Sequence, residues 1–149
     1  MSDAEQPAES GTHDHHEHHD HEGPGYATPQ AAIEEAEPER TAYVMGLHVG
    51  QDVDAPDFLA VVDVDPDSET YSEIINRVEM PNKGDELHHF GWNACSSSCH
   101  MEGLERRHLV IPGQRSSRIH IVDTKERRDP ELTKVIKPEE VYDHDLSAP

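Results

Sequence analysis

Six short apolar runs, each closed by turn-forming residues, limit what this chain can fold into. They are Tyr43–Val49, Asp57–Asp65, Ser72–Val78, His108–Pro112, Arg118–Asp123 and Thr133–Ile136. Each spans four to nine residues, is rich in β-branched side chains, and is bounded by Gly, Pro, Asn or Asp. That combination reads as strand. No 3.6-residue periodicity outlasts about two turns, apart from the Ala/Glu-rich stretch Pro29–Glu37. The fold class is therefore all-β. Phe58–Asp63 and Arg118–Asp123 also share a hydrophobic run ending in Val-Asp, each followed by a turn and a further strand. Recurring four-stranded meanders of this kind are how a β-propeller blade looks in sequence. A propeller closes with at least about four blades of roughly 40 residues. Residues 41–149 hold at most about two and a half of them. The expectation is the first blades of a truncated propeller, with exposed sheet edges through which chains would self-associate.

The chain has 149 residues, enough for one modest domain, and only 33% of them are hydrophobic, so its core must be thin. Its formal charge of -20 excludes a general nucleic-acid binder, because a phosphate backbone would be repelled over most of the surface. The acid excess is shared equally between residues 1–40 and the remainder, each contributing -10. Acid spread through strand-like sequence, beyond a tail, suits a halophile's concentrated-salt cytoplasm, where screening makes self-repulsion tolerable. Two cysteines cannot build a disulfide scaffold. No apolar run approaches the roughly 20 residues needed to span a bilayer, and no basic segment followed by an apolar one opens the chain. A cytoplasmic protein without membrane contact is expected.

Residues 1 to about 40 read as disordered, with almost nothing to bury, and residues 1–22 among them form a tail rich in His and acid. Within the tail, Thr12–Glu22 interleaves histidines with acids, a composition that chelates metals loosely without encoding one geometry. A metal-buffering tail followed by one domain from 23 to 149 is the organisation expected.

Chemistry concentrates in Glu86–His100, which packs His88, His89, Cys95, Cys99 and the chain's only tryptophan, Trp92, into one segment. Imidazole and thiolate are the ligands that soft and borderline transition metals prefer. Adjacent histidines on an extended strand point to opposite faces, so His88 and His89 can share a metal only at a bulge, turn or strand end. Asp85 or Glu86 could accept from an imidazole and fix its tautomer. Cys95 and Cys99 do not match the spacing of a zinc finger, even with the two histidines; small buried hydrophobes and reactive thiols both remain open. His48, His100, His108, His120 and His144 stand apart and suit structural or surface roles; His100 follows Cys99 directly and is the exception to test. His120 alternates with Ile119 and Ile121 and faces the other side of its strand. Trp92 reads as a packing residue, and Arg106-Arg107 is too small for a nucleic-acid patch.

Several segments together resemble the selenium-binding protein family, which includes the methanethiol oxidases. Gly23–Pro29 looks like its GPGYxTP element, Asp85–Asn93 matches its DELHHxGWN signature, Cys95–Cys99 its CSSC, and Ser116–Ile119 its SSRI strand. Asp57–Pro66 and Met80–Asn82 are also similar, so the resemblance runs from about residue 23 to the end. It implies a multi-bladed β-propeller. In the methanethiol oxidases it further implies a copper site that converts methanethiol and oxygen to formaldehyde, hydrogen sulfide and hydrogen peroxide. The paired histidines of the signature are family copper ligands, a role carried over to His88 and His89. Cys95 and Cys99 would tune that site or take part in sulfur or selenium transfer. Further family histidines begin with an HTxHC element, and this chain stops at Leu146–Pro149, short of where it should start. An N-terminal fragment, inactive alone, is the implication. Two departures matter: Cys95-Ser96-Ser97-Ser98-Cys99 is one serine longer than CSSC, and Ser72 stands where some animal members carry a cysteine implicated in selenium attachment. The alternatives are a non-catalytic selenium- or metal-binding protein, and a remnant without function of its own.

Overall fold

A computed structural model describes residues 23–48, 54–95 and 97–142. The tail of residues 1–22 and His144 lie outside the described residues. In chain order the elements are α1 (Pro29–Glu35), β1 (Thr41–Gly46), β2 (Phe58–Asp63), β3 (Ile74–Glu79), β4 (Gly91–Trp92), β5 (His108–Pro112), β6 (Ile119–Asp123), β7 (Glu131–Ile136) and α2 (Pro138–Tyr142). The strands form two antiparallel sheets, β1-β2-β3 and β4-β5-β6-β7, in which sequence neighbours are always spatial neighbours. All six apolar runs became strands, shifted by up to two residues at most ends. The run from Tyr43 was read as reaching Val49, but β1 stops at Gly46, where the Phe58 ring fills the space a side chain would need.

Residues 23–40 are more ordered than their composition suggests. Helix α1 begins where Thr28 Oγ1 accepts from Ala31 N at 3.1 Å and Pro29 supplies a fixed first residue. Strand β4 went unread because two residues carry no periodicity.

The Val-Asp recurrence corresponds to a shared backbone design. Both β2 and β6 are flanked on both sides, and each has an irregularity in register against the following strand, at Val61/Val62 and Ile121/Val122. One residue later come Asp63 and Asp123, and each carboxylate accepts from the amide two residues on. The Thr70 and Ser68 hydroxyls, followed by the Asp65 amide and the Arg128 guanidinium, hold the Asp63 carboxyl well below the usual carboxylate range. Arg107, forked onto Asp123, lowers that carboxyl likewise, and its own guanidinium is raised in return. Arg128 precedes β7, so Asp63 also ties one sheet to the other.

A single apolar cluster joins the sheets: Leu59, Met80, Leu87, Leu109, Ile111 and Val122, with Tyr43, Phe90 and Trp92 among the residues packed around it. Leu87 belongs to neither sheet. It lies in the segment between β3 and β4, and it carries the chemistry-bearing sequence into the seam.

Candidate functional site

The segment from Gly84 to Phe90 turns sharply. Gly84 (φ +73°) and Glu86 (φ +53°) both adopt the left-handed conformation, which costs a non-glycine residue about 1 kcal/mol or more. That cost is offset by what the turn achieves. Leu87 is fully buried and forms an isolated bridge with Gly113, at the β5–β6 turn. The Asp85 and Glu86 carbonyls accept from Arg115 N (3.2 Å) and Gln114 N (3.1 Å) of the same turn. From the other sheet, Asp57 Oδ2 accepts from Leu87 N at 3.0 Å, while its Oδ1 accepts from His48 N at 2.9 Å.

His88 and His89 follow directly, outside any regular strand. Their rings lie nearly parallel, 22° apart with centroids separated by 6.2 Å, and both are exposed. Glu86 Oε1 lies 3.0 Å from His88 Nε2, as expected for an acceptor that fixes a tautomer. Glu86 is itself paired with Arg115. With Nε2 engaged, Nδ1 is the nitrogen His88 has left for a ligand.

Asp85 does not serve the histidine pair directly. Its Oδ1 accepts from Arg118 Nη1 at 2.6 Å. Its Oδ2 lies 3.2 Å from His120 Nε2, too poorly aligned for a hydrogen bond, and both atoms are fully buried. His120 does face away from Ile119 and Ile121, but onto the core side of β6, and its Nδ1 lies 3.3 Å from the Ile111 carbonyl. A histidine read from alternation as facing away from the apolar side turned inward because Asp85 and that carbonyl supply polar surroundings there.

The two cysteines differ. Cys99 is buried and keeps a free thiol that donates to the Ser97 carbonyl at 3.7 Å. Cys95 is exposed, with its sulfur 2.9 Å from Ser97 Oγ. The extra serine is thus part of a tight turn, in which Ser98 N bonds back to the Cys95 carbonyl at 3.1 Å. Gly23 docks on this turn: its amide donates to the Cys99 carbonyl at 3.0 Å, and a Cβ there would overlap the Ser98 carbonyl. Among the described residues no three His, Cys, Asp or Glu side chains are gathered so as to hold a metal, so the histidine and cysteine pairs do not form one ligand set. His100 is exposed and joins no such group.

Trp92 packs as expected, edge-on to Tyr43 (6.1 Å) and under the Arg106 guanidinium (5.2 Å). Both aromatics line a cleft of about 1010 Å³. Burial raises the Tyr43 hydroxyl above its ordinary value, and the hydroxyl donates to the Arg127 carbonyl. Among the described residues, no helix is long and apolar enough to cross a membrane. Asp57, Arg118 and His120 were the participants sequence reasoning missed; an acid placed immediately before a buried strand was the available signal for Asp57.

Residues 20–149 match the family model described as 56kDa selenium binding protein. Selenium-binding protein 1 of Arabidopsis thaliana is 51% identical over 123 residues, covering 81% of this chain and 25% of the relative. Methanethiol oxidase of Homo sapiens is 46% identical over 121 residues, covering 80% and 25%. The X-ray structure of a hypothetical selenium-binding protein from Sulfolobus tokodaii superposes with a TM-score of 0.73 at 54% identity, over 78% of this chain and 26% of that one. The chain thus spans about a quarter of the length of the relatives it matches.

Proposed function

The chain belongs to the 56 kDa selenium-binding protein family, and from that premise we propose that it supplies the first part of a propeller-borne copper site for methanethiol oxidation. The observation that carries this reading is the stacked, outward-facing pair His88 and His89, set on a strained turn with Glu86 on one ring nitrogen. Imidazole nitrogens suit copper, and these two supply two of its positions, so the remaining ligands must come from sequence outside the described residues. Copper held there would supply the one-electron steps by which dioxygen oxidises a thiol. The overall conversion balances as methanethiol, dioxygen and water giving formaldehyde, hydrogen sulfide and hydrogen peroxide.

The chain's own residues orient and shield. Glu86 holds the His88 Nε2 proton and leaves Nδ1 for the metal, while Leu87 and Phe90 pack on the core beneath the pair. Cys95, exposed beside the tryptophan strand, is the thiol that would meet a sulfur or selenium compound, with buried Cys99 four positions on in the same turn region. The open edges of β1, β3, β4 and β7 support pairing with a second copy.

Copper content and methanethiol-dependent peroxide release, measured on the whole chain and on a His88→Ala/His89→Ala variant, test the reading. The expected result is one copper fewer per variant chain. Equal copper in both would place all binding elsewhere and overturn it. A second reading, stoichiometric binding of metal or selenium without turnover, is favoured by the short ligand set. It is met if stoichiometric binding survives in the variant and neither form releases peroxide.

A further inference from the structure

We propose that Asp57, reaching the segment from beside β2, and Asp85, reaching from the segment to Arg118 beside β6, are positioning residues that together set the direction of the His88–His89 pair. The inference rests on the reading that this pair binds a metal.

Three observations carry it. First, both carboxylates are buried, Asp57 at 2% and Asp85 at 0% exposure. Burying a charge is costly, and an apolar side chain of similar volume often does as well or better for stability. A buried carboxylate adds direction, because it fixes where a donor must point. Second, their donors converge on the residues just before the pair. Asp57 divides its two oxygens between Leu87 N, one residue before His88, and His48 N, two residues past β1. Asp85 is gripped by Arg118 at the start of β6, and its carbonyl by Arg115 N. Neither sheet alone fixes the segment. Third, Glu86 between the tethers sits in left-handed backbone geometry, a conformation that persists where its surroundings over-determine it. The tethers hold the chain on either side of that residue, so Leu87 enters the core and both imidazoles emerge on one side.

Asp85 holds something in reserve as well. Its Oδ2 and His120 Nε2 face each other at 3.2 Å, buried and unbonded. A small rotation of either group would complete a contact from β6 to the segment, so the tether has a second point of attachment within reach.

Trp92 is the only tryptophan of the chain and lies three residues after His89. Its fluorescence therefore reports Cu(II) arriving at the pair. The test titrates the full chain with Cu(II) alone and compares wild type with four variants: His88→Ala/His89→Ala, Asp57→Asn, Asp85→Asn and Leu59→Ala. The double histidine variant gives the background from other copper sites. Removing a group that orients a metal ligand typically weakens metal affinity by about 10- to 100-fold, and that shift in the quenching midpoint is expected for each Asp→Asn change. Leu59→Ala weakens the same core without touching either tether, and its midpoint is expected to match wild type. A shift there as large as in the Asp variants would overturn positioning in favour of general loosening. Asp variants that titrate like wild type, while the double histidine variant does not, overturn positioning and leave the metal reading standing. Wild-type quenching in the double histidine variant overturns both. Hydrogen exchange on the unaltered chain needs no variant to fold: the Leu87 amide is expected to be protected, and unprotected exchange there removes Asp57 from the proposal.

Discussion

The two ends of β2 and β6 differ in how completely their carboxylates are satisfied. At the far end, Asp63 and Asp123 follow one plan: an irregular step in register, an amide two residues on, and an arginine. At the near end, Asp57 just before β2 and Asp85, which the crossing segment brings against Arg118 just before β6, share no plan. Asp57 spends both oxygens on backbone amides of distant segments, whereas Asp85 takes an arginine and leaves one oxygen facing a histidine. The repeated end is what any unit of this meander needs to close its strands. The unrepeated end is where the segment bearing the histidine pair threads between the sheets, and its polar groups serve that segment. Repetition marks structure here, and its breakdown coincides with the candidate site.

The largest effect should come from cutting the site end loose. Leu87 is a member of the shared core that belongs to neither sheet. Leu87→Ala is expected to cost about 2–5 kcal/mol, the usual range for emptying a buried leucine site, measured by urea unfolding. A cost under about 1 kcal/mol would mean that the segment is merely draped on the sheets, and the comparison between the two ends would fail.

The next effect is acid sensitivity at the repeated end. Hydrogen bonds from Thr70 and Ser68 lower the Asp63 carboxyl, and Arg107 lowers that of Asp123. A carboxyl held low in the folded state stabilises the fold fully above its unfolded value, about 3.9. That contribution is lost as pH falls towards the lowered value, because the unfolded chain binds the proton first. Stability should therefore fall below about pH 4, and the slope should become shallower in Asp123→Asn. Denaturant midpoints recorded from pH 5 downward check this; an unchanged slope would show that the acid response arises elsewhere.

The strands were legible because each is short, β-branched and bounded by turn residues, and β5 was located to the residue. The resemblance gave His88 and His89 their role, and the chemistry of imidazole acceptors offered Asp85 or Glu86, of which Glu86 is the one that meets the His88 ring. Asp85 was legible as an acceptor but not by partner, because what it meets is Arg118, 33 positions away. His120 was legible by alternation only up to which side it faces, since whether that side is wet or buried depends on the segment laid across it. Pairwise contacts between distant turns leave no periodic trace in a single chain. The same limit hid β4, whose pairing with β5 is set by two residues alone.

The smallest expected effect sharpens the comparison from the turn between β5 and β6, which receives Asp85 and Glu86. Ser117 sits there at φ +57°, exposed, with its amide donating to the Gly113 carbonyl at 2.9 Å. A left-handed residue with a Cβ costs about 1–2 kcal/mol, whereas glycine in its place loses roughly 0.5–1 kcal/mol more backbone freedom on folding. The difference predicts that Ser117→Gly stabilises the chain by about 0.5 kcal/mol. Because the Ser117 side chain points to solvent, the turn should keep its grip on Asp85, and Cu(II) quenching of Trp92 should be unchanged. A variant that is more stable yet binds copper less tightly would show that strain in this turn, and not the tethers alone, sets the histidine pair.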